Sequence, residues 1–95
     1  MLKFIQVIEQ TGDIEEVVAH TKNYLDTVTD TKVQAVQLCT DRDDPTKIIN
    51  IVTFESAESA GQNDDLEKTQ EDAAKQQAET DITYRNLDLR YEFNR

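Results

Sequence analysis

Residues 2–10 read Leu2-Lys3-Phe4-Ile5-Gln6-Val7-Ile8-Glu9-Gln10, with Leu2, Phe4 and Ile8 at one parity and Ile5 and Val7 at the other. Successive side chains of a strand point to opposite faces, so a strand apolar at both parities is covered on both sides. The first strand is therefore expected in the middle of a sheet. Thr11-Gly12-Asp13 ends it; Asp13 is placed to cap a helix, and Glu15 and Glu16 fall in the first turn, where the helix dipole favours negative charge.

Outward from that strand the pattern changes period. Ile14, Val17, Val18, Thr21, Leu25 and Val28 recur at three- and four-residue intervals, which predicts an amphipathic helix that fades by Thr29 to Thr31. Val33 to Thr40 reads as a second strand, Asp41 to Pro45 as a turn and Lys47 to Glu55 as a third strand antiparallel to the second. Ser56 can cap a short turn, Gly61 to Asn63 interrupts it, and Asn63 to about Glu79 predicts a longer helix with a thin inward stripe of Leu66, Gln70, Ala73, Ala74 and Gln77. Thr83 to Phe93 alternates cleanly as a fourth, edge strand. The order is β-α-β-β-α-β over a single domain spanning 1–95, an α+β, ferredoxin-like class with a four-stranded antiparallel sheet.

Parity assigns Ile5, Val7, Val36, Leu38, Ile49, Ile51, Leu87 and Leu89 to a dry face. The other, mixed face holds Phe4, Ile8, Val33, Ala35, Cys39, Val52 and Phe54 together with Gln6, Gln37, Asn50, Tyr84, Asn86 and Asp88. Right-handed crossovers put both helices on one side of the sheet, so one face needs another cover. Each fully buried aliphatic side chain gains about 1.5–3 kcal/mol over its exposed state, and a second copy across a two-fold axis is the simplest lid for the dry face. The mixed face then lies under the helices. Its amides either orient a ligand in a cavity walled by Phe4 and Phe54 or pair with one another and with helix ends.

Twenty acids against ten bases give a net charge of −10, with nine acids and only Lys68 and Lys75 between Glu55 and Asp81. Such a chain repels phosphates and anionic membranes, so neither nucleic acid nor a membrane surface is an expected partner. No apolar run approaches the roughly 20 residues of a membrane span, and no secretory leader follows the basic start, which points to the cytoplasm. Cys39, the single cysteine, cannot form an internal disulfide and is expected as a small buried hydrophobe. With His20 as the only histidine, no Ser-His-Asp set can be assembled. Asp41, Asp43 and Asp44 lack the glycine and the bidentate Glu of a calcium loop and read as an acidic turn.

The segment Ile51-Val52-Thr53-Phe54-Glu55-Ser56-Ala57-Glu58-Ser59-Ala60, within this order of elements, resembles the antibiotic-biosynthesis-monooxygenase type of dimeric α/β barrel. The resemblance implies a homodimer that binds a small apolar or aromatic ligand and, in the cofactor-free members, oxygenates aromatic or quinone-like substrates. A non-enzymatic homodimeric sensor or stress-related module is the alternative. Phe4, Gln6, Gln37, Asn50, Phe54 and Tyr84 are the implied ligand-binding residues, with no catalytic residue assigned. Phe54 stands where such proteins often carry Trp, and its ring can stack but not donate. The haem-degrading members use a His on the helix after this strand; no His follows His20, so no cofactor and no metal are expected.

Overall fold

The computed structural model describes residues 2–64 and 82–95, and within them strands and helices alternate in the expected order. They are β1 Phe4–Thr11, α1 Ile14–Thr27, β2 Val33–Thr40, β3 Lys47–Phe54, α2 Ala57–Asp64 and β4 Thr83–Asp88. The sheet order is β2-β3-β1-β4 with every neighbouring pair antiparallel, so β1 is central and β4 lies at an edge, as the sequence predicts. This is the ferredoxin-like arrangement. Among the described residues no helix is long and apolar enough to cross a membrane.

Burial identifies the covered face. On β1 and β3 the even-numbered Gln10, Ile48, Val52 and Phe54 are buried, whereas the odd-numbered Ile5, Val7, Ile49, Ile51 and Thr53 remain half-buried. Val52, Phe54 and Ala60 of α2 form the core cluster, with Phe4, Ile8, Val33 and Val36 packed against it. Among the described residues no helix is packed on the face carrying Ile5 and Ile51.

Asp13 caps α1: its Oδ1 accepts the Glu15 amide at 3.1 Å, and Glu15 and Glu16 occupy the first turn. The inward stripe differs at one position. Leu25 is 41% exposed, while Tyr24 is half-buried with its hydroxyl 3.0 Å from Thr31 Oγ1. A ring whose polar tip can bond to the loop fills that place better than an aliphatic side chain one step around the helix.

The break predicted at Gly61 to Asn63 is absent, and α2 runs through it to Asp64. Ser56 starts this helix, its Oγ accepting the Ser59 amide at 3.1 Å. Gly61 adopts no positive φ, so it continues the helix rather than ending it, at the usual cost of a helical glycine. A Cβ added there meets nothing within 4 Å. Gly61→Ala should therefore stabilise the protein by up to about 1 kcal/mol, read as a rise of a few degrees in Tm. The longer helix predicted to Glu79, with Leu66, Gln70, Ala73, Ala74 and Gln77, lies outside the described residues beyond Asp64.

Two predictions about strands are corrected. A register shift between Val33 and Ala35 reverses parity along β2, because one extra residue flips every later side chain. Val36 and Leu38 join the covered face, while Ala35, Gln37 and Cys39 point to the open one and are exposed; Cys39 is not a buried hydrophobe. The fourth strand ends at Asp88 instead of Phe93. The Leu89 amide still donates to the Lys3 carbonyl at 2.9 Å, but β1 begins at Phe4, and beyond Leu89 the described residues offer no neighbouring strand to pair with. Leu89 is half-buried outside the strand, and Tyr91 and Phe93 are 80% and 89% exposed.

Candidate functional site

The register arranges the covered face as rows running across the sheet from β2 to β4. Val33, Phe54, Phe4 and Asp88 form one row; Val36, Val52, Gln6 and Asn86 the next; Leu38, Asn50, Ile8 and Tyr84 the third. Five of the six predicted site residues share this surface. The sixth, Gln37, pairs with Ile51 on the opposite face and is removed from the site by the β2 register shift.

Asn50 sits at the middle of the third row between Leu38 and Ile8, both aliphatic. Its Oδ1 is buried and has no hydrogen-bond partner among the described residues. Leaving a buried carbonyl acceptor unsatisfied costs about 1–3 kcal/mol, so a site that keeps one is set up to receive a donor. Val36 and Leu38, displaced to this face by the register shift, make the surroundings of that acceptor more apolar than the sequence suggested.

Gln6 is differently placed. Its Nε2 donates to Asn86 Oδ1 across the β1–β4 pair at 3.2 Å, which commits this amide to its neighbour. Asn86 was not among the residues predicted for the site; the signal for it is its position opposite Gln6 once β4 is aligned on β1. Tyr84, 39% exposed, stands opposite Ile8 on the edge strand, two strands and about 10 Å from Asn50, so its long side chain can approach a molecule lying over Ile8. The Phe4 and Phe54 rings are 6.1 Å apart between centroids and tilted by 53°, a favourable edge-on geometry. Phe54, 2% exposed, is spent in the core, and half-buried Phe4 is the ring available to a ligand.

The acidic turn uses its carboxylates on its own backbone. Asp41 Oδ1 accepts the Asp43 and Asp44 amides at 2.8 and 3.1 Å, and Asp44 Oδ1 accepts from the Thr46 hydroxyl at 2.6 Å and the Thr46 amide at 3.1 Å. These donors, the hydroxyl foremost, hold the Asp44 carboxyl below its ordinary value of 3.8. A depressed folded-state pKa contributes stability that is present above the ordinary value and lost as the pH falls through the folded one. Thr46→Val should move the Asp44 titration back toward 3.8, as followed by its carboxyl resonance in an NMR pH series.

The sequence matches no family model and no curated protein. Solved structures share the fold. The chain superposes on a variant of SnoaB, a cofactor-independent oxygenase from Streptomyces nogalater, with a TM-score of 0.78 at 13% identity, covering 98% of each chain. A Deinococcus radiodurans protein assigned as an antibiotic biosynthesis monooxygenase gives 0.66 at 14% identity over 96% of each chain. Protein SO0527 from Shewanella oneidensis gives 0.71 at 14% identity, covering 93% of this chain and 91% of its own. The chain thus has the ferredoxin-like fold of the antibiotic-biosynthesis-monooxygenase type, to which the segment Ile51 to Ala60 pointed.

Proposed function

We propose that this chain, one domain over residues 1–95, is a cytoplasmic homodimer that binds a small aromatic or quinone-like molecule between sheet and helices and oxidises it with dioxygen without a cofactor. The observation that carries the reading is the buried Asn50 Oδ1, without a hydrogen-bond partner among the described residues, in an aliphatic row of the covered face. A ligand hydroxyl would satisfy that oxygen, the Asn50 Nδ2 would donate to an adjacent carbonyl or phenolate, and Phe4 and Tyr84 would hold the ring. Four residues therefore form the site, Phe4, Gln6, Asn50 and Tyr84, with Gln6 acting through its bond to Asn86 and Phe54 backing the Phe4 ring from the core.

The chemistry asks little of the protein. A phenolate supplies electrons to dioxygen itself; one oxygen atom enters the ring, the other leaves as water, and the phenol becomes a quinone. A water-poor site that holds the phenolate beside oxygen suffices, and the fold shared with a cofactor-independent oxygenase supports that reading. The open face, with Ile5, Val7, Ile49, Ile51 and Leu87, is the surface for the second copy. Val36 and Leu38 no longer belong to it.

The second reading, a homodimer that binds its ligand without converting it, draws support from the Gln6–Asn86 pair, which ties up polar groups a reactive site would leave free. Oxygen uptake with a panel of hydroxynaphthalenes in the presence of a chelator separates the two. Consumption of one O₂ per quinone formed supports the oxygenase; ligand-induced thermal stabilisation with no uptake supports the sensor; neither response across the panel removes the site assignment.

A further inference from the structure

We infer that Gln10 is a second ligand-binding residue of the covered face, and that the ligand carries two oxygens on neighbouring ring carbons, a catechol-like edge held by the Gln10 and Asn50 amides together. The inference rests on the Asn50 site proposed above. Gln10 is the last covered-face residue of β1, pairs with Ile48 and is only 8% exposed. Its side-chain amide makes no hydrogen bond to another described residue. An amide buried in this way gives up water without gaining a protein partner, a cost that the fold itself does not require.

The register sets the two amides side by side. Ile8 pairs with Asn50 and Gln10 with Ile48, so Gln10 and Asn50 are diagonal neighbours on adjacent strands of one face. Such neighbours lie about 7–8 Å apart, close enough for two amides to serve one ligand edge and far enough to leave room for its atoms. The residues beside them are aliphatic: Ile8, Leu38 and the fully buried Ile48. Amides that stand directly opposite in this sheet bond to each other, as Gln6 and Asn86 do at 3.2 Å. Gln10 and Asn50 do not, and Asn50 Oδ1 is left without a partner among the described residues.

The chemistry of the pair defines the ligand class. A side-chain amide offers an acceptor oxygen and two N–H donors, and a phenolic hydroxyl both donates and accepts. One hydroxyl can donate to Asn50 Oδ1, and the second can donate to Gln10 Oε1 or accept from Gln10 Nε2. Oxygens on adjacent carbons present both groups at one edge of the ring, matching two amides that stand one row apart at one end of the sheet. A ring with a single oxygen satisfies Asn50 alone.

Titration calorimetry with a matched pair of ligands tests this: 2,3-dihydroxynaphthalene, with two neighbouring oxygens, and 2-naphthol, with one. The wild type should bind the diol at least about tenfold more tightly, the worth of one further hydrogen bond. Gln10→Met keeps an unbranched side chain and removes the amide. It should bring the diol to within about twofold of 2-naphthol while leaving the affinity for 2-naphthol unchanged. Its Tm without ligand should hold, because no bond within the protein is lost; a fall would mark the amide as structural and overturn the assignment. A preference for the diol that survives in Gln10→Met also overturns it, as does a wild type that binds both ligands equally, a result read without any variant. In each of those cases binding of 2-naphthol leaves Asn50 standing. No binding of either ligand to the wild type overturns the Asn50 site as well.

Discussion

Replacing Ile51 with Asp should turn the proposed dimer into a folded monomer. Ile51 lies at the centre of the open face, on central strand β3 opposite Val7, and is half-buried within its own chain. In the monomer the new carboxylate can reach water at the sheet surface. In the dimer it would be buried without a partner, which costs about 3–5 kcal/mol, and two-fold symmetry places one such charge on each side of the interface. The combined penalty is more than most interfaces of this size can absorb. Sedimentation velocity across a concentration series is the measurement; Gln37→Asp, at the polar margin of the same face, is the control that should leave the dimer nearly unchanged.

The second large effect concerns the covered face. Phe54→Ala should cost about 3–5 kcal/mol in urea denaturation, a large share of the 5–15 kcal/mol that holds a typical domain together. Phe54 is 2% exposed, packs with Val52 and Ala60, and meets the Phe4 ring at 6.1 Å. Truncation would leave a cavity where the start of α2 meets the end of β3. Phe4→Ala should cost less, because that ring is only half-buried. The contrast between the two tests whether Phe54 is core and Phe4 the ring left for a ligand.

Strand order and the separation of faces were legible wherever alternation ran unbroken. Along β1 and β3 the parities of Ile5, Val7, Ile49 and Ile51 against Phe4, Ile8, Val52 and Phe54 place every one of these residues correctly. Along β2 they do not. Val33-Gln34-Ala35-Val36 contains no Gly or Pro to announce the irregularity, and a single extra residue exchanges Val36 and Leu38 for Ala35, Gln37 and Cys39. That exchange accounts for the misplaced site residue Gln37 and for the exposed Cys39 together.

The ends of elements failed for a related reason. Leu87, Leu89, Tyr91 and Phe93 alternate as a strand should, but a strand exists only where a neighbour offers amides and carbonyls, and among the described residues the pairing stops at the bond between Leu89 and Lys3. Its sequence describes half of a ladder. Gly61 misled in the opposite direction, since a lone glycine weakens a helix without stopping it. For the site, Asn50 was legible as a polar residue in an apolar strand, whereas the lack of a partner for its Oδ1 among the described residues was not. The Gln6–Asn86 bond depends on a register between residues eighty positions apart, which no local pattern encodes.

The proposed ligand site turns on Asn50. Titration calorimetry of the wild type and of Asn50→Leu with one hydroxynaphthoquinone tests it most directly. Leucine keeps the branched shape of the side chain, is somewhat larger, and removes the buried oxygen together with its amide donor. We predict saturable one-to-one binding to the wild type and a loss of at least about tenfold in affinity for the variant, the worth of one hydrogen bond of this kind. Equal affinity for the two proteins would contradict a ligand site built around Asn50.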